Sequence, residues 1–285
     1  MPEVVADFSG KILIKDLDQI KPVRGRVLLN REQLVLVTEP VKKTILLSEI
    51  VSVHAGSIDQ KLSMFFDDAI NIIHKRGDTI YRAIIGTNAE TLSKFVRVLF
   101  MILIGKETVL ANHPIKKGGR VVSTNIEKMM LRLNGTKIEL INNGRKDTIP
   151  NNSIIGFRHV EDEIRGKTRP TLVLDYAAGE TTLTSTISLL SKRKLKLLSR
   201  FARMKYDKLN RNLNVSDFTE TQMWFLIQVY AEGRATVLDD IVENDQNSTD
   251  LNSSKMEEEQ LIEKKSGGFH LTNKGKIAVH RYYTD

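Results

Sequence analysis

The strongest constraint on the fold of this chain is an internal repeat. The residue pattern of positions 24–53 returns over positions 127–157, where Ile149 corresponds to Ile45 at an offset of 104 residues. In each copy, short apolar runs are separated by polar or glycine-containing breaks, which is typical of β-hairpins. Self-similarity over about a hundred residues is too long for a solenoid repeat. The sequence therefore predicts two copies of one strand-rich domain.

Each copy continues with another hairpin and one amphipathic helix. The hairpin turns fall at Arg76-Gly77-Asp78 and at Ala178-Gly179-Glu180. The helix of the first copy is predicted over residues 89–104, with Thr87 and Glu90 as its capping box. Its last two turns are apolar all the way round.

A helix end of this kind is buried on more than one side. We therefore expect Phe100, Met101 or Ile104 to pack outside its own copy, against the second copy or against another subunit.

The composition is that of an ordinary globular protein. Of the 285 residues, 41% are hydrophobic and 27% are charged, and two copies leave about 70 residues for a third domain. The absence of cysteine excludes disulfides, thiol catalysis and thiolate metal sites. No secretory signal opens the sequence, and the longest apolar run, Val98–Ile104, is far shorter than the roughly 20 residues of a membrane span. We expect a soluble, cytoplasmic protein.

No catalytic or cofactor motif is present. The six histidines show neither the His-x-x-x-His nor the Glu-x-x-His spacing of helical metal sites. Asp67-Asp68 is interpreted as a loop cap rather than a cation site, and the segment 113–120, with its glycine pair, as a linker rather than a phosphate loop. We therefore expect no enzyme activity, no cofactor and no metal.

Charge is divided unevenly along the chain. Residues 1–215 carry 36 Lys or Arg against 22 Asp or Glu, a net charge of +14, whereas residues 216–285 carry 7 against 13, a net charge of −6. Much of the positive charge lies on or just after the second amphipathic helix, predicted over 188–210. Its basic residues are Lys192, Arg193, Lys194, Lys196, Arg200, Arg203, Lys205, Lys208 and Arg211, beside the single acidic Asp207. A charge run of this kind is ordinarily a plain solvated face. Like charges at helical spacing repel one another, however, which favours an acidic partner more than is usual for such a run, and both alternatives stay open.

The residues after 215 predict helices and a hairpin. Thr219 and Gln222 form a capping box for the first helix, a second helix is predicted around 236–242, and a third over 249–264. The segment 261–279 resembles the third helix and wing of winged-helix domains. A recognition helix needs Lys or Arg beside the DNA phosphates, and this third helix carries more acidic than basic residues, which disfavours DNA binding.

The element order of each copy, an antiparallel sheet of six or seven strands and then one helix, resembles the PH-like and GRAM-like variants of the pleckstrin-homology fold. That resemblance implies a strongly bent sheet forming a partly open β-barrel closed by its C-terminal helix. The predicted fold class is α+β: two tandem barrels of this kind, over residues 1–107 and 116–211, followed by a winged-helix domain over 216–285.

Two PH-like copies followed by a winged helix resemble the archaeal taxis protein family CheF over essentially the whole chain. The residues that carry the resemblance are Arg24–Leu29, Leu34–Leu36, Ile45–Ile50, Leu271-Thr272 and Lys274-Gly275. The resemblance implies a chemotaxis or phototaxis adaptor that binds the phosphorylated response regulator CheY. It also implies relay of the switching signal to the archaellum motor through the Arl (formerly Fla) C, D and E proteins.

The surface predicted to bind partners joins basic residues of the second helix to two residues of the tail. Its members are Lys192, Arg193, Lys196, Arg200, Arg203, Met256 and Glu257. The apolar helix end also allows a homodimer, while nucleic acid is not expected as a partner and membrane insertion is not expected. Two alternatives stay open: a PH-like protein that docks on anionic membrane surfaces, and a winged-helix transcriptional regulator.

Reversal of Lys192, Arg193 and Lys196 to Glu is expected to slow association with phosphorylated CheY and to flatten its salt dependence, because rim charges act mainly on the encounter rate. Association rates are measured for this variant and for a chain truncated after Val215. If both match the wild type at low salt, the docking site lies elsewhere, as in the charged loop predicted over 160–169.

Overall fold

The structure is a computed structural model. It describes residues 3–15, 21–39, 41–55, 60–179, 181–210, 213–232, 253–265 and 268–283. The helix predicted around 236–242 and the basic residue Arg211 lie outside these described residues. Within them, every helix is too short or too polar to cross a membrane.

The first sheet has seven antiparallel strands in the order β4-β3-β2-β1-β7-β6-β5. The strands are β1 Ala6–Ile14, β2 Val23–Leu29, β3 Gln33–Thr38, β4 Lys42–Leu46, β5 Ile50–Ala55, β6 Ala69–Arg76 and β7 Thr79–Gly86. A short helix, α1 (Gln60–Ser63), precedes β6, and a longer helix, α2 (Ala89–Ile104), follows β7. The predicted helix over 89–104 is therefore confirmed.

The second sheet repeats the first. Its strands are β8 Lys106–Lys117, β10 Glu127–Asn134, β11 Lys137–Asn142, β12 Arg145–Pro150, β13 Ile154–Ile164, β14 Lys167–Ala178 and β15 Thr181–Ser188, with β9 Arg120–Val121 paired to β8. Their order, β12-β11-β10-β8-β15-β14-β13, is that of the first sheet when strands are matched along the chain. The helix that follows is α3, Lys192–Asn210.

Small irregularities repeat as well. A 3₁₀ turn at residues 47–49 has a counterpart at 151–153, and the sheet register shifts both at Ile50 and at Ile154. These pairs keep the offset of 104 residues found in the sequence. Two large sheets with the same strand order fit the predicted tandem of β-rich domains.

Two segments predicted to be irregular are paired strands. The expected linker over 113–120 belongs to β8 and to a hairpin with β9, because Gly118 and Gly119 adopt φ values of 54° and 78° and close a tight turn. The expected loop over 160–169 forms the outer part of the β13–β14 hairpin, which turns at Arg165-Gly166. Both interpretations were wrong because backbone pairing does not require apolar side chains on a solvent-facing strand.

Capping differs between the two helices for which a box was predicted. The N-cap of α2 is Asn88, whose side chain accepts a hydrogen bond from the Thr91 amide at 2.9 Å, while Glu90 pairs with Lys94 at 2.6 Å. The box predicted from Thr87 was therefore wrong, although the helix bounds were right: the N-cap is the next residue, Asn88, and asparagine is among the strongest N-caps.

The capping box of the tail is confirmed. The Gln222 side chain accepts from the Thr219 amide at 3.0 Å, and the Thr219 hydroxyl accepts from the Gln222 amide at 3.2 Å. It opens helix α4, Glu220–Glu232.

The remaining tail elements form one compact group. They are α5 Ser253–Glu258, β16 Ile262–Lys265, β17 Gly268–Leu271 and α6 Asn273–Tyr282. The helix predicted over 249–264 is wrong at its C-terminal end, because Gln260 adopts a φ of 60° that ends the helix and Ile262–Lys265 pairs with β17.

Contacts between residues divide the chain into two compact units. Unit 1 contains residues 1–109, 128–148 and 188–204, and unit 2 contains residues 110–127, 149–187 and 205–285. In unit 2, buried residues of α4, α5, α6 and the β16–β17 hairpin share one apolar core, to which Ile155 of β13 also belongs.

The apolar end of α2 packs within unit 1 against α3. The rings of Phe100 and Phe201 lie 5.7 Å apart and both side chains are buried. Ile104 is also buried and its carbonyl accepts a hydrogen bond from Lys194. Because α3 is the closing helix of the second sequence copy, the expectation that α2 packs outside its own copy is confirmed.

Replacement of Phe201 by Ala is expected to lower the free energy of unfolding by about 3 to 5 kcal/mol, since it removes the ring that fills the space beside Phe100. Urea unfolding at neutral pH measures the effect. The control is Leu190→Ala, at a side chain that is 83% exposed, with an expected change within about 0.5 kcal/mol. Equal unfolding midpoints for the two variants would contradict this packing.

Candidate partner-binding surface

Helix α3 is strongly two-sided within unit 1. Leu195, Leu198, Phe201 and Ala202 recur at helical spacing and are all buried. The opposite face is basic. The helix begins at Lys192 rather than at Ser188, where its start was predicted.

Four of the predicted binding residues lie on this basic face. Lys192, Lys196 and Arg203 are exposed, and Arg200 is half-buried. They are three or four residues apart, so their side chains share one side of the helix. The sequence prediction thus selected residues that the structure brings together.

Arg193 has a different environment. Its guanidinium donates hydrogen bonds to the carbonyls of Leu47, at 3.2 Å, and Ile50, at 2.8 Å. These carbonyls flank the 3₁₀ turn that leads into β5. Arg193 therefore anchors α3 to the edge of the first sheet, and its charge is engaged within the protein.

Lys194 is engaged in the same way. Its ammonium group forms an ion pair with Glu107 and donates to the carbonyl of Ile104, at the C-terminal end of α2. The ammonium thereby satisfies a helix-terminal carbonyl and lies near the negative end of the helix dipole. Two of the nine basic residues of the predicted helix therefore serve the packing of unit 1.

Two further groups join the exposed cations of α3. His54 of β5 pairs opposite Asn71, and Arg82 of β7 pairs opposite Ile73. Asn71 and Ile73 are two residues apart on β6, so His54 and Arg82 project from the same side of the sheet. We call His54, Arg82, Lys196, Arg200 and Arg203 the basic cluster.

The electrostatics of His54 show that these charges act on one another. The pKa of His54 is lowered, first by burial of the imidazole and then by the positive charges of Arg200, Lys196, Arg82 and Arg203. A cation destabilises a second positive charge nearby, so these surroundings favour the neutral form of the imidazole over the protonated form. Two strands and a helix of unit 1, namely β5, β7 and α3, thus present a site whose potential favours anions.

The sequence alone could not reveal His54 and Arg82 as members. They lie more than a hundred residues from α3, on strands whose register no local pattern specifies. One local feature of the sequence could have drawn attention to Arg82, because it directly precedes the buried apolar run Ala83–Ile85 of β7.

The remaining predicted residues lie in the tail. Met256 is 1% exposed and belongs to the apolar core of unit 2, so it offers no surface to a partner. Glu257, its neighbour on α5, is exposed. The side chains of Lys205 and Lys208 lie outside the described residues.

In the described part of the chain, no group of three or more His, Asp or Glu side chains could hold a metal ion. A cavity of about 600 Å³ opens beside the start of α2 and is lined by Lys11, Arg24, Asp67 and Asp68 among others. Its lining carries two cations and two carboxylates, so its net charge favours neither anionic nor cationic ligands.

Comparison with known proteins places the chain in a family. Residues 4–208 match the family described as archaeal chemotaxis signal transduction system protein F, or CheF. The chain belongs to this family. It is 26% identical to taxis protein CheF2 of Halobacterium salinarum over 281 residues, which cover 99% of this chain and 97% of that protein. It is 22% identical to taxis protein CheF1 of the same organism, over 80% of this chain and 78% of that protein.

Membership of the CheF family makes this an archaeal taxis signal transduction protein, as the resemblance implied. Among solved structures, that of the Spt16D Pob3N heterodimer has a TM-score of 0.26 and 12% identity, covering 62% of this chain and 86% of that one. A likeness this weak carries no argument about fold or function.

Truncation of Arg193 and truncation of Lys196 should have very different effects on the free energy of unfolding. Arg193→Ala is expected to lower the free energy of unfolding by about 2 kcal/mol, because two carbonyls lose a charged donor. Lys196→Ala, an exposed position three residues along the same helix, should change it by less than about 0.5 kcal/mol. Thermal or urea unfolding of both variants makes the comparison, and an equal loss of stability would refute the anchoring role.

Proposed function

We propose that this protein is an adaptor that binds the phosphorylated response regulator CheY through the basic cluster. It relays the switching signal to the archaellum motor through the Arl (Fla) C, D and E proteins. Membership of the CheF family supports a role in taxis signalling. The observations that support this surface are the placement of Lys196, Arg200 and Arg203 on one side of α3 and of His54 and Arg82 on one side of the first sheet.

The chemistry of the cluster suits an acidic protein surface. Arginine presents a planar fork of donors that binds carboxylates with two hydrogen bonds, and the cluster contains three arginines. Carboxylates of an acidic partner are attracted to a surface on which cations lie on one side of a helix. Complementary charge also speeds diffusional encounter.

Arg193 is not part of this proposed surface, because it holds α3 in place. Met256 is excluded by its burial. Lys192 is exposed one turn before Lys196 on α3, so it lies at the edge of the basic cluster. The surface proposed from the structure is therefore Lys192 together with the basic cluster.

The architecture we propose keeps the predicted domains. Residues 1–107 and 116–211 are two PH-like domains, supported by the identical strand order of the two sheets and the helix that follows each. Residues 216–285 form a winged-helix domain, supported by the β16–β17 hairpin and the helix α6 that follows it. No step of this proposal needs catalysis or a cofactor.

The tail supplies a second, acidic docking surface in this proposal. Glu257 and Glu258 are exposed on α5, and the residues from 216 onward have a net charge of −6. A surface of opposite sign allows one adaptor to hold two different partners, an acidic regulator and a motor component.

The double variant Lys196→Glu/Arg203→Glu is expected to associate with phosphorylated CheY about tenfold more slowly at low ionic strength, since steering charge is lost. Its association rate should also depend less on salt. The matched control is Lys128→Glu/Lys137→Glu, two exposed positions of unit 1 outside the cluster that change the net charge equally. Stopped-flow association over a salt series measures all three proteins.

Equal slowing of both double variants would show that overall charge, and not the cluster, guides the encounter. Wild-type rates in both would remove this surface from the proposal. If CheY association is unchanged but co-sedimentation with anionic liposomes is lost in the cluster variant, the cluster serves membrane docking instead.

A further inference from the structure

His54 differs from the other members of the basic cluster, because it is the one that can change its charge near neutral pH. It is half-buried on β5, and its Nε2 lies 3.0 Å from the Ser52 hydroxyl oxygen. A hydroxyl both donates and accepts hydrogen bonds. This contact is therefore compatible with a neutral imidazole and with a protonated one.

The charged groups that act on His54 come from the neighbouring elements. Arg82 of β7 projects from the same side of the sheet as His54. Lys196, Arg200 and Arg203 follow Arg193 on α3, and Arg193 is hydrogen-bonded to the Ile50 carbonyl at the start of β5, the strand that carries His54. Burial, and after it these positive charges, lower the pKa of His54 in the free protein. An acidic partner seated on these cations would reverse the local field, because its carboxylates favour the protonated imidazole.

We infer that His54 is itself a contact for the acidic partner, and that the partner binds with uptake of a proton at the His54 imidazole. This inference rests on the proposed function and adds a specificity-determining residue to it. The proton comes from the buffer and is carried by the imidazole nitrogen. No other bond is made or broken.

The direction of the pH dependence follows from this linkage. Binding is expected to raise the pKa of His54 above its value in the free protein, so the protonated form binds more tightly. Affinity is therefore greatest below the free-state pKa and declines as the pH rises through the bound-state pKa. Each unit of difference between the two pKa values corresponds to a tenfold change in affinity.

The proton is counted by isothermal titration calorimetry with CheY held in its activated form by beryllium fluoride. Titrations at one pH near 7 are carried out in buffers with different ionisation enthalpies. The slope of observed enthalpy against buffer enthalpy is the number of protons taken up. The wild type is expected to take up between about 0.5 and one proton more than His54→Gln.

A second histidine serves as the matched control. His159 is exposed on β13, so His159→Gln should keep the proton uptake of the wild type. Circular dichroism and unfolding midpoints confirm that the variants are folded. Between pH 6 and pH 8, affinity should decline more steeply for the wild type than for His54→Gln.

The outcomes separate the two proposals. If wild type and His54→Gln bind CheY with equal proton uptake and equal pH dependence, the role of His54 is refuted while CheY binding stands. If the folded wild-type protein shows no CheY binding at any pH from 6 to 8, the proposed function itself fails, and this inference fails with it.

Discussion

The attachment of α3 to the first sheet is the interaction on which the candidate surface depends. Arg193 donates to two backbone carbonyls beside the 3₁₀ turn at 47–49, and Phe201 packs against Phe100 of α2. The polar contact sets where the helix lies along the sheet edge, and the aromatic contact buries its apolar side. With α3 held there, the charges of Arg200, Lys196 and Arg203 act on His54.

The two sequence copies supply the elements of this arrangement. Two sheets share one strand order, and each is followed by a helix. The closing helix of the second copy nevertheless contributes residues 192–204 to the same compact unit as the first sheet. Duplicated elements have thus taken different roles, since α2 offers an apolar end for packing and α3 a basic face. A repeat whose copies pack in this way can build a surface that neither copy has alone.

The basic cluster carries an energetic cost that suits a binding role. Burial of the imidazole, and after it the positive charges of Arg200, Lys196, Arg82 and Arg203, hold the pKa of His54 down. Proteins commonly tolerate such local destabilisation where a partner relieves it. The same helix shows both uses of a cation: Lys194 is neutralised inside unit 1 by Glu107, while Lys196, two residues later, is exposed. The helix thus divides its cations between packing inside unit 1 and an exposed face.

The sequence by itself determined the repeat, the antiparallel hairpins, the helix over 89–104 and the basic face of α3, because each is encoded by local periodicity or turn residues. The tertiary structure decided which cations bind groups within the protein and which are exposed on its surface. Arg193 and Lys196 look alike in sequence, yet one binds backbone carbonyls 143 and 146 residues away. Met256 looks like an exposed helix residue until Gln260 ends α5 and the hairpin buries it. His54 and Arg82 belong to the basic cluster because the strand register places them on the same side of the sheet. Long-range contacts of this kind depend on how elements pack, and no local pattern in the sequence specifies that packing.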